Sequence, residues 1–189
     1  GVDKQSAQVG DRVQEAADSL NALINAPDTA IPQTILAGAK CVAVIPDMVK
    51  GGFVIGGQHG RGMATCRNAG RGWSAPAPIT LSGGTWGAQI GAESADIVLL
   101  FMNDGAVQSL LADKLKLGGE AAVTAGPVGR EASAATDVKL DAQILSYSRT
   151  KGLFAGLNLS GAAVRQDMDT TVALYGKSIP FRTLLAGSV

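Results

Sequence analysis

Ala39-Lys-Cys-Val-Ala-Val-Ile-Pro46 is where the character of the chain changes. Cys41-Val-Ala-Val-Ile45 is a continuous β-prone run, and Pro46-Asp47 closes it. Upstream the period is helical. Over residues 3–25, Val9, Val13, Ala16, Ala17, Leu20, Leu23 and Ile24 recur at spacings of three and four, which predicts an amphipathic helix. Pro27 and Pro32 end it, and residues 31–39 add a further helical turn or two.

Downstream of Pro46 the chain reads as short strands punctuated by glycine. Strands are expected at 52–55, 61–67, 79–82, 85–91, 95–102, 121–125, 142–148, 152–159 and 162–166. Gly56-Gly-Gln-His-Gly60 and Asn68-Ala-Gly70 read as turns. Asn103 or Asp104 caps a mid-chain helix that closes near Gly118-Gly119. Asp167 or Asp169 caps a last helix, with Gly176 just past its end, and the apolar tail 181–185 docks. Few connections are long enough for βαβ crossovers. The expected fold is therefore α+β, a single domain with a mainly antiparallel sheet. Gly83, Gly84, Gly87 and Gly91 fall inside or beside strands and predict a strongly curved or barrel-like sheet. Residues 1–30 form the N-terminal helix and linker, packed on a domain spanning 31–189.

Composition narrows the function. The 189 residues hold 16 basic and 16 acidic side chains, so a globally basic nucleic-acid binder is excluded. Hydrophobic residues make up 46 %, which suits a packed core. No apolar run is long enough to cross a membrane as a helix. The chain starts at Gly1 rather than Met and shows no signal-like segment, which points to a trimmed or mature form. The zero balance hides a pattern. Residues 1–39, 40–75, 76–137 and 138–189 carry −3, +4, −4 and +3. If the two positive blocks are neighbours, they make a basic face for phosphates or anionic headgroups.

Motifs of chemistry are weak. Gly70-Arg-Gly-Trp-Ser-Ala75 imitates a dinucleotide turn, but Pro76 and Pro78 prevent the helix that would hold a phosphate. Gly176-Lys-Ser178 lacks the upstream glycine of a P-loop. Ser148-Arg-Thr-Lys151 matches S-x-x-K in a strand and turn, where that spacing does not align the two side chains. It stands as a remote serine-hydrolase reading. His59 reads as an exposed turn residue, and Asp167 and Asp169 as helix caps. Trp73, Trp86 and Phe154 read as packing residues. One histidine and two cysteines offer no ligand-spaced set, so neither a metal nor a cofactor is expected. Cys41 and Cys66 are either two small buried strand residues or one cross-strand disulfide suited to an oxidising compartment.

Taken in order, several stretches resemble the SYLF domain family. They are Ala39-Lys-Cys-Val-Ala-Val-Ile-Pro46, Lys50-Gly-Gly-Phe53, Gly56-Gly57 with 60–62, Trp73-Ser-Ala-Pro76, and Gly87-Ala-Gln-Ile-Gly91. Ala125-Gly-Pro-Val-Gly-Arg130, Tyr147-Ser-Arg-Thr-Lys-Gly-Leu-Phe-Ala-Gly156 and Tyr175-Gly176 follow. The resemblance implies a non-enzymatic module for phospholipid, including phosphoinositide-like headgroups, and in eukaryotic members sometimes for actin. It also implies a bacterial envelope protein, periplasmic or anchored to the outer membrane as a lipoprotein. The expected contacts to an anionic phospholipid surface are Lys50, Arg61, Arg67, Arg71, Arg130, Arg149 and Lys151. A protein-interaction module with a filament partner is the alternative. Two departures stand out. Residues 3–25 carry net −2 where eukaryotic relatives have a basic helix, so the apolar face of this helix is expected to pack on the sheet. Leu159-Ser160-Gly161 stands where the family usually has Leu-Glu-Gly.

Overall fold

The computed structural model describes residues 31–46, 59–68, 70, 72–83, 95–113, 115–119, 121–129, 143–151 and 153–187. The helix expected at 3–25 and the strands expected at 52–55 and 85–91 lie outside the described residues. The elements are α1 (Gln33–Gly38), β1 (Cys41–Ile45), β2 (His59–Asn68), β3 (Gly72–Trp73), β4 (Ala77–Gly83) and β5 (Asp96–Phe101). They continue with α2 (Asp104–Leu111), β6 (Leu115–Lys116), β7 (Val123–Ala125), β8 (Ile144–Thr150), β9 (Leu153–Gly156), β10 (Ala162–Gln166), α3 (Met168–Tyr175) and α4 (Phe181–Leu185).

The described strands form one sheet in the order β6-β10-β4-β2-β1-β5-β8-β7, with β3 on β2 and β9 on β8. All pairings are antiparallel except β7 with β8. The fold is α+β, with a strongly curved half-barrel sheet and a C-terminal helix, as the glycine pattern predicts. β2 shows how the curve is made. Residues 63–66 pair with β1, while 59–64 pair with β4 on the other side. Where β2 leaves β1, a Cβ on Gly62 would lie 2.0 Å from the Val44 carbonyl oxygen. Only glycine admits that approach.

All five residues of β1 are buried. That explains its unbroken apolar sequence, because a central strand covered on both faces has no polar side. One face gathers Ala43, Ile45, Ile79, Leu81, Ile97, Leu99 and Phe101 under Ala106 and Leu110 of α2 and Phe181, Leu184 and Leu185 of α4. The other gathers Val42, Val44, Val98, Leu100, Leu145 and Tyr147 under Ile31, Ile35 and Leu36 of α1 and its approach.

Helix ends follow from side-chain chemistry. The Asn103 side chain accepts from the Ala106 amide and Asp167 from the Thr170 amide, so the first candidate cap is used in each case. Gly176 ends α3 in the left-handed region at φ 79°. The mid-chain helix is shorter than the sequence suggests. It stops at Leu111, and Leu115-Lys116 become an edge strand on β10. Leu115 and Leu117 are both buried, and strand alternation is what brings residues two apart to one face.

Two glycines of the Ala125-Gly126 and Ala155-Gly156 stretches have a steric role. A Cβ on Gly126 would lie 2.0 Å from the Tyr147 ring, and one on Gly156 would lie 2.7 Å from the Gly126 oxygen. The Tyr147 hydroxyl donates to the Pro127 carbonyl at 3.0 Å. Burial of that phenol pushes its pKa well above the ordinary 10.0.

Gly62→Ala and Gly126→Ala should each lower unfolding free energy by at least about 2 kcal/mol in urea titrations. Gly70→Ala, at φ 73° with nothing within 4 Å, should cost only about 1–2 kcal/mol. Because folding raises the Tyr147 pKa, its stabilising contribution is intact below pH 10.0 and lost as pH rises from there toward the folded value. A Tyr147→Phe chain should show a shallower alkaline fall in Tm.

Candidate functional site

Strand register puts two arginines side by side. Arg61 on β2 and Arg165 on β10 both face Thr80 of β4 across the ladders. Ile79 and Leu81 point into the core at 0 % exposure, so Thr80 and its neighbours occupy the opposite face. The two arginine Cα atoms are thus two strand spacings apart, about 10 Å. Lys116 of β6 pairs with Ala163, two residues along β10 from Arg165 and on the same face. Arg61, Arg165 and Lys116 are all exposed, and the half-buried Thr80 and Ser82 lie between them. Arg165 Nη1 donates to the Asp113 carbonyl at 3.2 Å, which holds the head of the side chain at this edge. Arg61 and Lys116 have no ion-pair partner among the described residues. This cationic row can receive phosphates or carboxylates.

The other expected contacts are distributed differently. Arg67 donates from Nε to the Ala39 carbonyl and from Nη2 to the Leu36 carbonyl, both at 2.9 Å. Its guanidinium lies 4.5 Å from the Trp73 ring centroid. It closes the C-terminal end of α1, whose last carbonyls need donors. Arg149 sits opposite Asp96 in the β5–β8 register and pairs with it at 3.4 Å, 5.9 Å from the Phe154 ring. Lys151 is exposed in the β8–β9 turn at φ 52°. Lys50, Arg71, Arg130 and Trp86 lie outside the described residues. β1 and β5 separate β2 from β8, so Arg61 and Arg149 stand about three strand spacings apart, roughly 14 Å. The described parts of the two positive blocks that meet are therefore β2 and β10, not β2 and β8. Reading by segment missed Lys116 because it lies in the net −4 block. Arg165 lies in a stretch, 144–166, that holds no acidic residue, but its place beside Arg61 depends on register.

Ser148 lies in β8 paired with Ile97 and Ala155, and Lys151 lies beyond the strand in the turn. His59 is the first residue of β2, paired with Ser82, rather than part of a turn. Gly70 and Gly72 adopt positive φ in the β2–β3 connection. Among the described residues, no three His, Cys, Asp or Glu gather as a metal site would require. Cys41 and Cys66, opposite each other in β1 and β2, are joined by a disulfide.

Residues 82–189 match the family described as Ysc84, Las17-binding protein actin regulator. An SH3 domain-containing protein of Schizosaccharomyces pombe is 38 % identical over 162 residues, 84 % of this chain and 37 % of the relative. Protein YSC84 of Saccharomyces cerevisiae is 34 % identical over 86 % of this chain and 35 % of its own length. The SH3 domain-containing YSC84-like protein 1 of Rattus norvegicus is 33 % identical over 87 % and 48 % respectively. The chain spans about a third to a half of the length of these relatives.

The roles of the arginines separate experimentally. Arg67→Ala should destabilise the fold by about 1–3 kcal/mol, since two hydrogen bonds from a charged donor are lost. Arg67→Lys should not restore it, because an ammonium cannot reproduce the fork. Arg61→Ala should stay within about 0.5 kcal/mol of the parent. Urea unfolding of the three variants checks the ordering.

Proposed function

This chain belongs to the Ysc84 (SYLF) family, and from that membership we propose that it is a non-enzymatic binding module for an acidic protein partner of the actin-filament kind. The family match supports this reading most directly, since the family's description names Las17 binding and actin regulation. The cationic row of Arg61, Arg165 and Lys116 is the surface suited to such a partner. Exposed basic residues steer encounter with an acidic surface and contribute a modest, salt-screened affinity.

The same row supports a second reading, capture of anionic phospholipid headgroups. Each cation near a lipid surface contributes about 1 kcal/mol. On that second reading, rather than the first, the protein would sit in an oxidising compartment such as a bacterial envelope. The Cys41–Cys66 bond supports that placement, because such bonds persist where thiols are not kept reduced.

Co-sedimentation separates the two ligands. The chain should pellet with actin filaments in the absence of lipid, and Arg61→Glu with Arg165→Glu should abolish the pelleting at low salt. No pelleting with filaments, together with salt-sensitive pelleting on phosphatidylserine but not phosphatidylcholine vesicles, would favour the lipid reading. Equal behaviour of parent and double variant on both would remove the row as the site.

A further inference from the structure

We infer that the Cys41–Cys66 disulfide is a thiol-exchange site, entered through the cavity it lines, and that its opening releases α1. The bond joins β1 and β2 at a directly opposed pair with Cα atoms 4.0 Å apart. The Arg67 amide donates to the Lys40 carbonyl in the next pair, so Cys41 and Cys66 occupy a non-hydrogen-bonded position. No backbone bond ties that pair; the disulfide does.

Both cysteines line a cavity of about 480 Å³ between the end of α1 and helices α2 and α4. Val107, Leu111 and Leu185 make its apolar wall, and Lys40 and Asp104, paired at 3.2 Å, stand at its side. That volume admits a small thiol. Both cysteines are buried, Cys41 completely and Cys66 to 5 % exposure, so the cavity is the route to the bond and Cys66 Sγ is taken as the sulfur attacked.

The exchange balances without any further oxidant. An incoming thiolate forms a bond to Cys66 Sγ as the Cys41–Cys66 bond breaks, and Cys41 leaves as a thiolate that takes a proton from water. A second thiolate attacks the sulfur of the first, releasing Cys66 as a thiolate and carrying off a small disulfide. Two electrons have passed from the thiols to the protein.

The consequence for α1 follows from the neighbours. Cys41 follows Lys40, the link from α1 to β1, and Cys66 precedes Arg67, whose fork holds the Leu36 and Ala39 carbonyls. A six-residue helix is unstable alone. Without the bond nothing ties this non-hydrogen-bonded pair, so the strand ends spread there and the fork loses its alignment. The rest of the ladder, from Val42↔Thr65 to Val44↔Met63, remains paired.

The full chain in its oxidised form is the material for the test, with glutathione as the thiol and no denaturant. Two thiols per chain should become reactive to Ellman's reagent, passing through a glutathione adduct seen by intact mass, at a rate insensitive to low urea. Val107→Phe, which fills the cavity, should slow that rate about tenfold. On reduction, hydrogen exchange at residues 35–39 should quicken about tenfold while β5 and β8 stay protected. A rate that climbs with urea along the slope of global unfolding, or no reduction without denaturant, overturns entry through the cavity. Unchanged exchange at 35–39 after reduction overturns the release of α1. Cys41→Ser with Cys66→Ser serves as the thiol-free reference.

Discussion

The structure depends on burying β1 from both sides. Its five residues contribute Cys41, Ala43 and Ile45 to one core and Val42 and Val44 to the other. A strand with no polar face is stable only when both faces are covered and both edges are paired. β2 and β5 supply the edges, α2 and α4 cover one face, and α1 with its approach helps to cover the other. The curvature of the sheet, the placement of the helices and the Arg67 fork at the end of α1 serve this arrangement.

Charge is distributed accordingly. Where the sheet is covered on both faces, around β1 and β5, cationic side chains are engaged: Arg67 on α1 and Trp73, and Arg149 on Asp96 and Phe154. On β2, β10 and β6, Arg61, Arg165 and Lys116 lie on the face away from Ile79 and Leu81 and are exposed. Basic side chains beside the second core thus help to hold its parts together, while those of the row are exposed.

Much of the fold was legible from residues alone, because its signals are local. The change of period at Lys40, the caps Asn103 and Asp167, and the left-handed glycine at 176 act through near neighbours in the chain. The edge strand at Leu115-Lys116 was not legible. Its two residues are defined by pairing with β10, nearly fifty positions away. The candidate site suffered similarly. Counting charge by segment located the positive blocks, but a segment sum cannot say which strands become neighbours, and it concealed Lys116 among acids.

Sequence by itself determined the class of fold, the family resemblance, and the residue types at turns and close approaches, since glycine at Gly62 or Gly126 answers a steric demand no other residue meets. It left Cys41 and Cys66 open between buried thiols and a bond. The tertiary structure decided that they lie opposite each other across β1 and β2. It also decided which arginines face solvent and which are held. The physical reason is that strand order and register are collective properties of the sheet. They follow from how two apolar faces are covered at once, and no single segment encodes that.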